Sequence, residues 1–211
     1  MSENRTHLFI GDSITDCEWR QDPEQIGYGY VRLVAEHFAA HEPGSTVINR
    51  GTNGDRVRDL RARFNDDCIA HDPDLVTIYV GVNDTWYAVR DGEETTPEQF
   101  EADYRFLLDQ LSARWPARPV IMVVPFVTVV NDETARFGPD LAGKQEVVRE
   151  LAKEFGHTLI ELPEVMEKAQ EAGHTPDSLA SDGVHPTAAG HKLLADAWLE
   201  AREEVTYAEE D

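Results

Sequence analysis

The stretch "HLFIGDSITDC", His7 to Cys17, decides the fold, because a short apolar run ends in a Gly-Asp turn and a serine follows at once. Apolar runs of this length, bounded by turn residues, are typical of buried strands. A strand that ends in a tight turn can hold the next side chain, that of Ser13, at the rim of a sheet, where the functional groups of α/β proteins collect. The same residues could also form only an Asx or Ser/Thr turn that caps the following segment.

Further along the chain, short Val- and Ile-rich runs alternate with segments of helical period. Strand and helix in alternation predict βαβ units and a parallel sheet with helices on both faces, which is an α/β fold. A length of 211 residues fits one domain, residues 1–211, and we expect the acidic tail from about residue 203 to fray. The predicted strands are 7–11, 45–49, 74–81, 119–126 and 157–162, and the predicted helices are 29–41, 98–115, 140–155 and 186–204, with another opening at about Asp55.

The charge balance limits the partners. A formal net charge of -22 argues against nucleic acid and against an anionic membrane surface, because both would repel the chain. Lysine occurs only at positions 144, 153, 168 and 192, and abundant carboxylates with scarce lysine favour a protein that works in molar salt. An ordinary acidic cytoplasmic protein is the alternative.

The N-terminus and the cysteines point away from export. No basic segment followed by a long apolar one opens the chain, and no apolar window is long enough for a membrane span, so we expect a soluble, cytoplasmic protein. Cys17 and Cys68 form no CxxC pattern and indicate free thiols rather than a disulfide or a zinc site. Cys17 is a weaker candidate nucleophile, since no partner lies nearby in the sequence.

Three more segments share the sheet edge with Ser13, since the carboxyl ends of parallel strands meet there. They are "NRGTNGDRVRDL" with Gly51 and Gly54, "GVNDTW" with Asn83 at the start of a predicted loop, and "SDGVHPTAAGH" with Asp182 and His185. Singly, each has a structural explanation as a turn or a helix cap. Their joint occurrence predicts a site.

These residue types fit acyl transfer. A serine hydroxyl needs a base such as His185 to take its proton, and the imidazole needs a carboxylate such as Asp182 to hold its other nitrogen. Charge that grows on an attacked carbonyl oxygen needs donors fixed beforehand, which the N–H groups of Ser13 and Gly54 and the amide of Asn83 could supply.

The four blocks "GDSIT", "NGD", "GVND" and "DGVH" resemble those of the SGNH (GDSL-type) hydrolases, and the resemblance covers nearly the whole chain. It implies a flavodoxin-like three-layer α/β/α fold, a catalytic triad of Ser13, His185 and Asp182, and an oxyanion hole from Ser13, Gly54 and Asn83. It implies no cofactor and no metal.

A narrower resemblance is to the small branch of acetylxylan esterases and related carbohydrate deacetylases, through "GDSITDC", "GVNDTW" and "DGVHPTAAGH". In that branch Trp86 would wall the site and favour a short acyl group. The chain departs from the branch in Asn53, where serine is usual, and in "CEWR", where Cys-Gly-Arg is usual. The candidate substrate-binding residues are Asp12, Trp19, Arg56 and Trp86.

We therefore expect a serine esterase that hydrolyses short-chain esters, chiefly acetyl esters of carbohydrates, and binds a small-molecule ester. Alternatives are a lysophospholipase or thioesterase of the same superfamily, a metallohydrolase using Asp182, His185 and His191, and a non-catalytic flavodoxin-like binding module. Specificity is expected in the segments 86–96 and 127–139, which we predict as long loops. The apolar stretch "VPFVTVV", 124–130, predicts a surface covered by a neighbour and hence a homo-oligomer.

Overall fold

The computed structural model describes residues 4–207, and these residues form one five-stranded sheet with helices on both faces. All neighbouring strands are parallel, in the order β2-β1-β3-β4-β5. The predicted α/β fold is therefore confirmed. The strands are β1 (Thr6–Gly11), β2 (Thr46–Gly51), β3 (Leu75–Tyr79), β4 (Val120–Val123) and β5 (Thr158–Ile160).

The helices form two layers, each packed on its own apolar cluster. Helices α2, α7 and α9 cover one face of the sheet, and α3, α5 and α6 cover the other. Their bounds are α1 (Ser13–Asp16), α2 (Tyr30–His41), α3 (Val57–Asp67), α4 (Val82–Asp91), α5 (Pro97–Arg114), α6 (Gly138–Phe155), α7 (Leu162–Glu171), α8 (Pro176–Leu179) and α9 (Ala188–Glu203), with short 3-10 turns at Ile69–His71 and Thr134–Arg136.

Strand β1 lies inside the sheet and is apolar on both sides because a helix layer covers each face. Leu8 and Ile10 belong to the cluster under α3 and α5, whereas Phe9 belongs to the cluster under α2 and α9. Phe9 lies 5.0 Å from the ring of Trp198 in α9. The side chains of Leu8, Phe9 and Ile10 are fully buried, and each contributes roughly 1.5–3 kcal/mol to the free energy of unfolding.

The end of β1 is a turn with no room for a larger residue. A Cβ on Gly11 would lie 2.2 Å from the carbonyl oxygen of Tyr79 and 2.6 Å from Oγ1 of Thr15. The next residue, Asp12, caps α1 by accepting the N–H of Ile14 at 3.0 Å. The chain therefore turns at once from strand to helix, and Ser13 becomes the first residue of α1.

One predicted loop is a helix. The segment 86–96 was expected to be a long loop with Asn83 at its start, but α4 runs from Val82 to Asp91 and ends on Gly92, whose φ is +72°. Asn83 accordingly lies in the first turn of a helix. Strands β3 and β4 are also shorter than predicted, and the helix predicted to open at Asp55 begins at Val57. Helices α7 and α8 were not predicted.

Residues after the last helix still contact the body of the fold. Helix α9 ends at Glu203, but Val205 and Tyr207 still pack against the α2/α9 cluster. The guanidinium of Arg5 lies 3.6 Å from the centre of the Tyr207 ring. Fraying of the acidic tail from about residue 203 stays a prediction, and residues 208–211 of that tail lie outside the described residues.

Most of the apolar stretch after β4 is covered by the chain itself. Val124 and Phe126 are buried in the two apolar clusters, while Val129 keeps 59% of its surface exposed. A homo-oligomer stays a prediction. Within residues 4–207, every helix is too short or too polar to cross a membrane.

Candidate active site

Three predicted residues form a continuous hydrogen-bonded chain at the carboxyl edge of the sheet. The Oγ of Ser13 lies 2.8 Å from Nε2 of His185, and Nδ1 of the same imidazole lies 2.6 Å from Oδ2 of Asp182. Ser13 stands at the end of β1, and the other two stand in the turn before α9. This is the geometry in which an imidazole can take a proton from a hydroxyl while a carboxylate holds it in place.

The turn that carries Asp182 and His185 is fixed by its own hydrogen bonds. The other carboxylate oxygen of Asp182 accepts the N–H groups of Val184 and His185 at 2.9 and 2.8 Å. Partial burial opposes ionisation, but the hydrogen bonds from the His185 ring and from the two N–H groups lower the pKa of Asp182 below its ordinary value. The ionised carboxylate therefore accepts from Nδ1–H of His185, which leaves Nε2 free to accept the proton of Ser13.

The residues predicted to supply the oxyanion donors line the same cavity. Ser13 is the first residue of α1, and the N–H groups at a helix start have no partner inside the helix. Asp12 satisfies the N–H of Ile14 and not that of Ser13. Gly54 has a φ of +83°, a backbone conformation that L side chains rarely adopt, and both Gly54 and Asn83 line the cavity.

The loop before α3 and the start of α4 are tied together at this point. Asn83 donates one amide N–H to the carbonyl oxygen of Asp55 at 3.0 Å, which leaves its second amide hydrogen available. Asp84 accepts the N–H of Val57 at 3.1 Å. These two bonds fix Gly54 and Asn83 relative to each other.

The cavity in front of Ser13 measures about 150 Å³. Sites for drug-sized ligands usually measure about 300 Å³ or more, so this cavity fits a small group. Trp86 forms one wall, with its ring 5.7 Å from that of His185. The full lining consists of Ser13, Asn53, Gly54, Asn83, Trp86, Tyr87, Arg90 and His185.

Helix α4 contributes a whole face to this lining. The contributing residues, Asn83, Trp86, Tyr87 and Arg90, are spaced i, i+3, i+4 and i+7, and therefore share one side of a helix. Tyr87 and Arg90 were not among the residues predicted from the sequence, because their spacing places them beside Asn83 only once residues 82–91 are known to form a helix. Two guanidinium groups lie near the Tyr87 ring, that of Arg56 at 4.5 Å and that of Arg90 at 5.2 Å from its centre.

Three residues predicted to bind substrate lie outside the cavity lining. Asp12 is fully buried as the cap of α1, so its expected contact with substrate is not supported. Arg56 is 8% exposed and bonds Glu93 at 2.8 Å, behind Tyr87. Trp19 donates its indole N–H to the carbonyl oxygen of Gly51 at 2.8 Å and is not part of the lining. Of the four candidates, only Trp86 lines the cavity.

Burial behind the site perturbs the Asp12 carboxyl. It raises the pKa of Asp12 to about 7, a shift that the N–H of Ile14 opposes and the nearby Asp84 increases. Burial likewise raises the pKa of Asp84 to about 7, although the hydrogen bond from the N–H of Val57 and the positive charge of Lys144 both lower it. Two buried carboxyl groups next to the site, those of Asp12 and Asp84, therefore have pKa values near 7.

Cys17 and His191 pair with each other rather than with the Ser13 chain. Burial, then the charge of Asp16, raises the pKa of the Cys17 thiol to about 12, which is unlike a reactive thiolate. Nε2 of His191 lies 3.5 Å from the Cys17 sulfur, and its Nδ1 accepts the N–H of Tyr30 at 3.2 Å. Residues 4–207 contain no group of three or more His, Cys, Asp or Glu side chains placed to hold a metal ion.

Known proteins are similar to this chain in sequence and in fold. The model of the GDSL-like lipase/acylhydrolase family matches residues 9–193. An acetylxylan esterase of Geobacillus stearothermophilus is 35% identical over 205 residues, covering 91% of each chain. A GDSL-like protein of Parabacteroides merdae has a TM-score of 0.87 at 29% identity, covering 96% of this chain and 97% of the other.

The solved structure of the Geobacillus stearothermophilus acetylxylan esterase Axe2 agrees with these matches. Its TM-score is 0.82 at 31% identity, with 95% of this chain and 96% of that chain covered. The family match spans all four sequence blocks, including Ser13, Gly54, Asn83 and His185. The chain belongs to the GDSL-like lipase/acylhydrolase family and is an ester hydrolase.

Proposed function

We propose that this esterase removes short acyl groups, chiefly acetyl groups, from carbohydrate esters through an acyl-enzyme on Ser13. The observation that carries the proposal is the hydrogen-bonded chain from Ser13 through His185 to Asp182, which opens on a cavity of about 150 Å³. A nucleophile, its base and the group that orients the base are thus in place before any substrate binds.

In the first step, His185 Nε2 takes the proton of Ser13 as Oγ attacks the ester carbonyl carbon. The negative charge passes to the carbonyl oxygen, where the N–H groups of Ser13 and Gly54 and the amide of Asn83 stabilise it. The intermediate then breaks its bond to the alcohol oxygen. His185 gives its proton to that oxygen, and the alcohol leaves while the acyl group stays on Ser13.

In the second step, water replaces the alcohol. His185 takes a proton from the water, the resulting hydroxide attacks the acyl carbon, and the Ser13 oxygen leaves with the proton that His185 returns. Asp182 stays ionised throughout and stabilises the imidazolium that forms in each step. The low pKa of Asp182 supports this role.

Cavity size and similarity together support the acetyl assignment. Trp86 stands beside His185 and limits the space for the acyl group. The similar solved protein Axe2 is an acetylxylan esterase, also called an acetyl-xylooligosaccharide esterase, and two of its catalytic variants replace a histidine or a serine with alanine. We carry over from Axe2 an acetylated sugar as the substrate class.

The remaining features of the proposal concern the setting of the enzyme. We propose that it works as a homo-oligomer in the cytoplasm at molar salt, and that it binds neither nucleic acid nor membrane. The net charge of -22 supports the salt and partner assignments.

Initial rates on p-nitrophenyl acetate, butyrate and octanoate, and on acetylated xylo-oligosaccharides, test the proposal. We expect the wild type to prefer acetate and Ser13→Ala to lose at least about 10³-fold in kcat/KM. Ser112→Ala, a serine substitution in α5, serves as the control and should leave the rates unchanged. Faster hydrolysis of octanoate would replace this proposal with the lysophospholipase or thioesterase alternative, and full activity of Ser13→Ala would remove the nucleophile assignment.

A further inference from the structure

The indole of Trp86 is held from three sides. Its ring lies 5.7 Å from that of His185 and 5.8 Å from that of Phe137, and its N–H points to Oε1 of Glu133 at 3.3 Å. Trp86 is half-buried, and the Glu133 oxygen is the hydrogen-bond acceptor that the indole N–H has here. The contact joins α4 to a segment 47 residues further along the chain.

Glu133 is itself placed by a well-anchored segment, residues 127–137. The N–H of Thr128 donates to the carbonyl oxygen of Gly183 at 2.8 Å, in the turn that carries Asp182 and His185. The Asn131 side chain accepts the N–H groups of Glu133 and Thr134 at 3.0 and 2.9 Å. These bonds hold the backbone of Glu133 in place relative to the turn that carries His185, and its carboxylate reaches Trp86 from there.

This arrangement restrains the ring that sets the size of the cavity. An indole has only two side-chain torsions, so one directed hydrogen bond together with contacts on its faces is enough to select one orientation. A Trp86 ring released from Glu133 could turn and enlarge the cavity beside Ser13. Pockets that exclude one extra methylene discriminate by roughly 10- to 200-fold, so a modest change in ring position is measurable as a change in acyl preference.

We propose that Glu133 is a positioning residue that sets the acyl-size limit of the site by orienting Trp86. The proposal rests on the esterase function proposed above and adds to it a residue that touches neither the acyl group nor the Ser13–His185–Asp182 chain. Glu133 acts on specificity rather than on the chemical step.

The test is the ratio of kcat/KM for p-nitrophenyl acetate to that for the butyrate. We expect Glu133→Ala to lower this ratio by roughly fivefold or more, because butyrate gains access. Glu133→Gln keeps an acceptor oxygen and should stay within about twofold of the wild type. Asp132→Ala, at an exposed neighbour, is the charge-matched control and should leave the ratio unchanged. Should Glu133→Ala not fold, Glu133→Met has a similar length without a carboxylate oxygen and replaces it.

A second arm separates the indole bond from other effects of Glu133. In a Trp86→Phe background, which has no indole N–H, Glu133→Ala should leave the acyl ratio unchanged. An unchanged ratio in the single variant, an equal shift in the Trp86→Phe background, or a Glu133→Gln variant that behaves as Glu133→Ala would each overturn the proposal. If Glu133→Gln behaves as Glu133→Ala, the effect comes from the loss of the negative charge near Arg90 instead.

A third readout does not depend on turnover. In the Ser13→Ala background, the fluorescence that Trp86 contributes is the difference between the chain with Trp86 and the chain with Trp86→Phe. Glu133→Ala should make that contribution more accessible to acrylamide quenching, and Asp132→Ala should not. If the esterase proposal is wrong, the wild type will show no preference for acetate. If only the Glu133 proposal is wrong, the wild type will prefer acetate, and Glu133→Ala will have the same preference and the same quenching as its parent chain.

Discussion

Nε2 of His185 lies 2.8 Å from Oγ of Ser13, although 172 positions separate the two residues in the chain. The contact is possible because α9, which follows His185, packs back onto the first strand. Trp198 of α9 lies 5.0 Å from Phe9 of β1 and donates its indole N–H to Thr77 of β3 at 2.8 Å. The site thus depends on the C-terminal helix docking on the centre of the sheet.

Asn83 is the proposed donor whose removal should affect the chemical step most selectively. We expect Asn83→Ala to lower kcat on p-nitrophenyl acetate by about 10²–10³-fold with little change in KM, because the donor stabilises charge that develops only in the transition state. Asn65→Ala, at an exposed position of α3, is the control. A raised KM with unchanged kcat would instead assign Asn83 to substrate binding.

Gly183, in the turn that carries Asp182 and His185, has no room for a side chain. Its φ is +88°, and an added Cβ would lie 2.5 Å from the carbonyl oxygen of Thr128 and 2.7 Å from Cγ2 of Thr134. Gly156 has a similar φ of +71°, but a Cβ there meets no described atom within 4 Å. Gly183→Ala and Gly156→Ala therefore share a conformational cost of about 1–2 kcal/mol, and only the first adds a steric clash.

Thermal unfolding and acetate kinetics of the two glycine variants separate these contributions. We expect Gly183→Ala to be the less stable and to lose at least about tenfold in kcat, because the clash shifts His185 relative to Ser13. Gly156→Ala should keep its kcat. Equal losses of stability with unchanged kcat in both variants would show that the turn does not need the close approach of Thr128.

Asp12 should make the stability of the protein depend on pH. Its folded-state pKa is about 7 and its ordinary value is 3.8, so between these values the folded protein holds a proton that the unfolded chain has lost. The contribution of Asp12 to the free energy of unfolding is therefore greatest below a pH of 3.8 and decreases as the pH rises towards 7. Asp12→Asn does not ionise and still caps α1.

Urea unfolding at about pH 4.5 and about pH 8 measures this dependence. We expect Asp12→Asn to exceed the wild type by at least about 1 kcal/mol at the higher pH, with the advantage shrinking at the lower one. Asp132→Asn, at an exposed position, is the control. The same difference at both pH values would show that Asp12 ionises as readily in the folded chain as in the unfolded one.

Salt should stabilise this chain. Carboxylates outnumber cationic side chains by 41 to 19, so long-range repulsion outweighs attraction over the molecule as a whole. Raising KCl from about 0.1 M to about 1 M shortens the Debye length from about 10 Å to about 3 Å and screens that repulsion. Thermal unfolding should therefore shift to higher temperature, and a shift to lower temperature would show that the surface ion pairs dominate instead.

The strands and the Ser13–His185–Asp182 chain were predictable, because both follow from local signals. β1 is apolar on consecutive positions and ends in Gly-Asp, and the Asp182–His185 spacing stands directly before a helix. Parallel strand order then brings such ends to one edge without any knowledge of distances.

Helix α4 was not predicted because its apolar period is hidden. Its cavity face carries Asn83 and Arg90, and its buried side carries Thr85, whose hydroxyl donates to Asp140 at 2.5 Å and accepts from the fully buried Lys144. Polar residues thus occupy positions where a helix pattern requires apolar ones. The inward turn of Asp12 and the contact between Glu133 and Trp86 depend on tertiary packing, so no spacing rule indicates them.

The most direct test of the proposed mechanism is to find the acyl group on the protein. Wild-type enzyme mixed with excess p-nitrophenyl acetate and quenched in acid during the first turnovers should gain the mass of one acetyl group, and peptide mapping should place that group on Ser13. Ser13→Ala should gain none. An acetyl group on Cys17 or His185, or continued hydrolysis by Ser13→Ala without any acetylated peptide, would contradict the assignment of Ser13 as the nucleophile.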